Sequence, residues 1–226
     1  MAKLTWDNTG ERFYETGVKN VALYVFDNTS GAKKYKDGVA WNGVTAISES
    51  PSGAEPTALY ADDKKYLNLL SAEEFAASIE AYTYPDEFAE CDGSASLAEG
   101  FTIGQQARSK FALAYKTTIG NDEAGNSLGY KLHIIYNCLA APSEKAYNTI
   151  NDSPEAITFS WEISTTPVTF TINGKEYSTA CVTIDSRTAD PSKLAALETK
   201  LFGGTDPDSK PTLVLPNEIY NDMKAA

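Results

Sequence analysis

This 226-residue chain has one histidine, three cysteines and two methionines, and no apolar run near the about 18 residues a membrane-crossing helix needs. Each scarcity removes a class of function. With His133 the single imidazole, a zinc site built on two histidines cannot form, and no C-x-x-C, H-E-x-x-H, G-x-G-x-x-G or P-loop pattern occurs. Zinc and nucleotide chemistry therefore lose most of their support. The 19 basic residues are outnumbered by 31 acidic ones, leaving a net charge of −12. A chain that grips nucleic acid needs the opposite balance, because Lys and Arg displace counterions from phosphates. Cys91, Cys138 and Cys181 are odd in number and follow no apolar leader, so free thiols and cytosolic synthesis are expected, without a membrane anchor. No repeat of 20 to 50 residues is present, which excludes solenoids and propellers.

What is abundant is aromatic and strand-forming. With 42% hydrophobic residues, 13 tyrosines and 3 tryptophans, the chain can bury a full core, and its length suits one domain over 1–226. The stretch Ser109 to Cys138 organises the rest. Phe111, Leu113 and Tyr115 alternate with Lys110, Ala112, Ala114 and Lys116; Tyr130, Leu132, Ile134 and Tyr136 alternate in the second arm. These are two strands of a β-hairpin, and the polar run Ile119 to Leu128 predicts a long projecting tip. His133 lies opposite Leu132 and Ile134, where a structural or partner-facing role is expected.

Further strands are expected at Val18–Phe26, closed by Asp27 to Gly31, then at Val39–Ser50, Thr57–Tyr60, Tyr66–Leu70 and Ala156–Ser164, and on both sides of Asn173-Gly174, a hairpin-turn signal. Ser71 to Pro85 carries a helix-capping pattern at Ser71 and Glu74, but Phe75, Ala77, Ile79 and Ala81 repeat at period two, so a strand is expected, with a helix over Ser71 to Ala81 as the alternative. Pro51-Ser52-Gly53-Ala54-Glu55-Pro56 reads as a turn or loop. Lys33-Lys34-Tyr35-Lys36 and Asn151 to Pro154 read as solvated surface. One helix is expected, capped by Asp190, with Pro191 at its first position, Leu194, Leu197 and Leu201 on a narrow stripe, and Gly203-Gly204 at its end. An N-terminal arm over about 1–17 and an extended tail over about 203–226, with a short strand at Thr212–Leu215, complete the expectation. The acidic patch Asp86 to Asp92 lacks the spacing of an EF-hand and reads as a solvated loop. A β-sandwich carbohydrate-binding or adhesin module with Ca²⁺ there is the alternative function, and a carboxylate-pair hydrolase ranks behind it.

Several stretches together resemble one family. Trp6–Val18 (WDNTGERFYETGV), Val39–Tyr60, Lys65–Ser94 and Asn148–Thr166, with the Asp190 helix and the closing Leu213-Val214-Leu215-Pro216-Asn217-Glu218, are similar to the major tail tube proteins of long-tailed bacteriophages. The resemblance implies a mainly β, tail-tube-type β-sandwich or barrel subunit with one flanking α-helix near the C-terminus. It implies no catalysis and no cofactor or metal. Six copies would close into a ring, and rings would stack into a tube around a tape-measure protein, between tail-tip and tail-terminator proteins, in the tail of a virion assembled in the host cytoplasm. DNA would pass through the lumen without specific binding, helped by acidic repulsion. Trp6, Phe13, Tyr14, Trp41, Pro51, Gly53, Pro56, Asp122 and Glu123 are the expected contacts between subunits.

Overall fold

A computed structural model describes residues 3–27, 35–150, 152, 155–206 and 208–224. The strand-closing residues 28–31, the Lys33-Lys34 part of the basic cluster, and residues 151, 153 and 154 of the polar loop lie outside the described residues. The strands are β1 (Tyr14–Val25), β2 (Val39–Ala40), β3 (Val44–Glu49), β4 (Ser52–Gly53), β5 (Pro56–Ala61), β6 (Lys64–Leu70), β7 (Glu73–Glu74), β8 (Ala76–Ala81), β9 (Ala95–Ala98), β10 (Phe101–Ile103), β11 (Phe111–Asn121), β12 (Gly125–Ala140), β13 (Phe159–Thr165), β14 (Val168–Ile172), β15 (Lys175–Thr179) and β16 (Cys181–Asp185). Two helices follow, α1 (Pro191–Phe202) and α2 (Pro216–Met223). The chain is mainly β, as its alternations imply. The segment after Ser71 is strand, because burial of Ala77, Ile79 and Ala81 on one pleated face outweighs a local cap.

One antiparallel sheet runs β2-β1-β11-β12-β13-β8-β3, with β16 also paired to β12. The branch is made by Asn137. Before it, Lys131 to Ile135 pair with β16; after it, Cys138 to Ala140 pair with β13. Asn137 adopts φ +49°, a bulge that breaks the register between Leu113↔Ile135 and Phe111↔Cys138. Its side chain accepts from the Tyr35 hydroxyl (2.8 Å) and donates to the Thr166 carbonyl (3.0 Å), which holds the bulge open.

The inner stretches of the central strands, Val21–Val25, Phe111–Tyr115 and Leu132–Tyr136, are buried on both faces. Val21, Leu23, Val25, Phe111, Leu113, Tyr115 and Ile135 point into a core completed by Ala77, Ile79, Trp161 and Ile163 from the far strands. Phe88 sits at its heart, 4.5 Å from Trp41, 5.0 Å from Trp161 and 5.4 Å from Phe111 between ring centroids. The acidic patch is thus not merely a solvated loop. It forms a short 3₁₀ turn, Asp86–Glu90, that holds its carboxylates out and drives Phe88 in. Asp92 is tied down by Lys145 (2.5 Å) and the Trp161 indole N–H (3.0 Å).

On the opposite face, Ala22, Ala112 and Ala114 leave room for α1, which lays Leu194, Leu197 and Leu201 across them. Asp190 caps α1 by accepting from the N–H groups of Ser192 (2.9 Å) and Lys193 (3.1 Å). Two buried tyrosines pin the covering layer: Tyr24 donates to the Leu201 carbonyl (2.5 Å) and Tyr136 to the Val214 carbonyl (2.9 Å). Burial raises the pKa of both phenols, so they remain donors. The extended tail expected after Gly203 is corrected by α2. Pro216 starts it, and the Glu218 carboxylate accepts the Leu215 N–H at 3.1 Å. The expected strand at Thr212–Leu215 does not form; Leu213 and Val214 instead pack under the helices. Replacing Leu197, which is fully buried, with Ala is expected to lower stability by about 2–5 kcal/mol in urea denaturation, the range for large-to-small core changes.

Candidate interaction surface

The expected loop at Pro51–Pro56 belongs to a longer element. β3 and β8 pair in the sheet, β4 and β7 continue the ladder beyond it, and β5 and β6 carry it outward. Residues 44–81 are therefore one β-hairpin, rooted in the sheet and closed by Asp62 and Asp63 at φ +51° and +57°, the positive values that a two-residue hairpin turn requires. The Pro51–Pro56 stretch is the irregular middle of this arm. Gly53 and Ala54 adopt positive φ there, and a Cβ on Gly53 would lie 2.3 Å from the Ala72 carbonyl oxygen, so glycine is required.

Past the sheet, nothing among the described residues covers the arm. All residues of β6 are exposed. Tyr60, Tyr66 and Leu70 show 72%, 73% and 70% of their surface, and Leu59, Leu67 and Leu69 are also exposed. Leu59 lies opposite Leu67, and Thr57 opposite Leu69, so Leu59, Leu67 and Leu69 gather on one face and Leu70, opposite Pro56, on the other. The shorter hairpin β9–β10 exposes Leu97 and Phe101, and Tyr147 and Ile150 stand out from the segment before β13.

The second projecting tip is shorter than expected. Strands β11 and β12 extend to Asn121 and Gly125, leaving Asp122-Glu123-Ala124 as the turn. This tip holds the chain's own N-terminal segment: Asp122 accepts from the Gly10 N–H (3.1 Å) and Arg12 N–H (3.4 Å), Asn121 donates to the Gly10 carbonyl (2.8 Å), and Tyr14 donates to Asn126 (2.8 Å). Glu123 lies beside Gly10, with its carboxylate 3.1 Å from where a Cβ would stand. Phe13 carries the Arg187 guanidinium 5.2 Å above its ring, while Trp6 remains exposed.

Of the residues expected between subunits, Trp6, Phe13, Tyr14, Pro51, Gly53, Pro56, Asp122 and Glu123 are exposed, and of these Phe13, Tyr14, Asp122 and Glu123 also make contacts between the N-terminal segment and the body of the chain. Trp41 is a correction: it is buried in the aromatic core and donates to the Thr83 carbonyl at 2.9 Å. Leu59, Leu67, Leu69, Leu70, Tyr60 and Tyr66 were not among the expected contacts. Their signal was a strand pattern apolar on both faces directly after the Pro51–Pro56 break, which reads equally as a buried strand.

Gly125-Asn126-Ser127-Leu128-Gly129 has the G-x-S-x-G spacing of serine hydrolases. It lies inside β12 rather than at a strand-to-helix elbow, and Ser127 donates to the Ala124 carbonyl at 2.6 Å. Among the described residues no cluster of His, Cys, Asp and Glu is arranged to hold a metal ion, and no helix is long and apolar enough to cross a membrane. All three cysteines are free thiols, Cys91 and Cys138 buried. The chain matches no protein-family model and no curated protein. Fold and surface together define a mainly β protein with a helix-covered sheet and an apolar projecting hairpin.

Desolvation at the tip opposes ionisation of Asp122, but the Gly10 and Arg12 N–H groups and the Arg12 guanidinium outweigh it and hold the carboxyl below its ordinary 3.8. The contact is therefore complete above pH 3.8 and is lost as pH falls through the lowered value. Asp122→Ala is expected to raise the rate of tryptic cleavage after Arg12 about fivefold at neutral pH, the scale of one lost hydrogen bond; an unchanged rate would show that the tip does not hold the arm.

Proposed function

We propose that this chain is a major tail tube protein of a long-tailed bacteriophage, a subunit that closes into rings of six and stacks them into the conduit for DNA. The observation that carries the reading is the uncovered apolar length of the 44–81 hairpin. A monomer gains nothing from displaying Tyr60, Tyr66 and Leu70 to water, and contiguous apolar surface of this kind marks a protein contact. Rooted in a rigid sheet, the arm supplies the reach that one ring needs to contact the next. The resemblance of Trp6–Val18, Val39–Tyr60, Lys65–Ser94 and Asn148–Thr166 to that family supports the same reading. So does the acid excess, since carboxylates facing a lumen repel phosphates. Under this reading the partners are further copies of the chain, a tape-measure protein, and tail-tip and terminator proteins, within a virion.

Negative-stain electron microscopy and light scattering of the purified protein at rising concentration test it. Rings of six or channelled tubes are expected. Combined Tyr60→Ser, Tyr66→Ser and Leu70→Ser replacement is expected to leave the circular dichroism unchanged and to abolish stacking. Tubes as abundant as wild type from that variant would remove the arm from the stacking contact. A strict monomer, even with tail-tip protein added as initiator, would sink the tube reading itself.

A further inference from the structure

Two protruding segments leave the sheet close to one another, and each has a glutamate at its root. Glu15 is the second residue of β1, directly after the N-terminal segment; Glu49 is the last residue of β3, where the chain departs into the arm. His133 of β12 lies between them. Its Nε2 is 3.5 Å from Glu15 and its Nδ1 3.4 Å from Glu49. The ring is stacked on Tyr115 with planes 5° apart and centroids 4.8 Å apart, and the side chain is only 12% exposed. The carboxylates approach opposite ring nitrogens and so do not converge as ligands of one ion would.

The neighbours decide what each protonation state does. On β11, the Tyr115 hydroxyl donates to Glu49 at 2.5 Å, and the Thr117 hydroxyl donates to Glu15 while its oxygen lies 3.0 Å from His133 Nε2. Lys131, on the histidine's own strand, donates to Glu15 at 2.5 Å. From β16, Thr183 Oγ1 is 3.4 Å from Nδ1; the partly buried Cys181 thiol, pushed up by burial and by the charges of Glu49 and Glu73, stays protonated, and Asp185 is engaged by Arg187 at 2.7 Å. A neutral imidazole has one N–H, and only the imidazolium donates at both nitrogens. With the Thr117 proton committed to Glu15, its oxygen is an acceptor, which keeps a lone ring proton on Nε2. Nδ1 would then turn a lone pair on the Glu49 carboxylate, while Thr183 is placed to donate to it instead.

We propose that His133 is a proton-operated clasp: as imidazolium it holds the roots of both protruding segments, and on losing a proton it gives up its bond to Glu49, which leaves that carboxylate to the Tyr115 hydroxyl alone and loosens the root of the 44–81 arm. Glu15 stays in place through Lys131 and Thr117. The clasp acts within one chain and does not depend on the tube reading. Glu49 is held below its ordinary 4.5 by the hydrogen bond from His133, against burial, with Tyr115 adding to it. Burial pushes Glu15 up, but its bonds to Lys131 and Thr117 outweigh that and lower it. Both lowered carboxylates stabilise the fold above pH 4.5 and lose that contribution as pH falls through their folded values. Both are therefore charged from about pH 5 to about pH 8, where imidazole side chains change charge.

Hydrogen exchange of the monomer, expressed as protection factors at about pH 5.5 and about pH 8, tests the clasp. Protection of β3 is expected to fall about tenfold at the higher pH, the scale of a lost charge-assisted hydrogen bond, while that of β13 stays constant. His133→Gln is expected to give a low, pH-independent value for β3. Glu49→Gln, which retains a hydrogen bond to Tyr115, is expected to abolish the pH dependence as well and serves if His133→Gln does not fold. Equal wild-type protection of β3 at the two pH values, or a tenfold fall that persists in either variant, would overturn the proposal.

Discussion

Because Val21–Val25 of β1, Phe111–Tyr115 of β11 and Leu132–Tyr136 of β12 are covered on both faces, these stretches cannot shift register without moving an entire apolar set into the wrong layer. Phe111, Leu113 and Tyr115 fill the space between the sheet and its own far strands, and Ala112 and Ala114 receive α1. Large side chains on one face and small ones on the other create two differently shaped cores from one strand. A leucine at Ala112 or Ala114 would meet the helix before it met the core. Everything outside the central strands takes its position from this arrangement.

The departures from regular pairing distribute function around that rigid centre. At Asn137 a residue in the left-handed region lets β12 pair first with β16 and then with β13, so the sheet divides and its far strands close over the aromatic cluster. Asparagine suits the place because its short amide tolerates positive φ and bonds to both Tyr35 and Thr166. Bulges along β1 near Gly17 and Asn20 shift its register on β11, to which it stays paired as far as Tyr14↔Gly120. The positive φ of Gly53 and Ala54 likewise interrupts the 44–81 arm just beyond its root.

Polar groups gather where these outgoing segments begin. Glu15, Glu49 and His133 sit at the roots, Asp122 holds the N-terminal segment further out, and Asp92 anchors the segment containing Tyr147 through Lys145. Exposed apolar side chains lie further along the segments, Leu4 and Trp6 on the first and Leu59, Tyr66 and Leu70 on the arm, whose turn is charged. Polar roots with apolar flanks beyond them suit a subunit whose contacts form with other copies, in keeping with the proposed tail tube role.

Strand alternation in Phe111–Thr117 and Phe159–Thr165, the Asn173-Gly174 turn and the Asp190–Gly203 helix were legible because each depends on residues within one or two turns of chain: a period, a positive-φ pair, a cap and a stop. The second helix was hidden because its leading Leu213-Val214-Leu215 reads as strand, and only Pro216 and Glu218 mark a start. Trp41 appeared available for contact until the fold placed Phe88 and Trp161 around it. Local sequence, then, determined element type and the chain's mainly β character. Tertiary structure alone decided which apolar residues are covered, since cover comes from strands distant in sequence: Leu113 and Leu69 share the same composition and propensity, but only Leu113 has another layer above it.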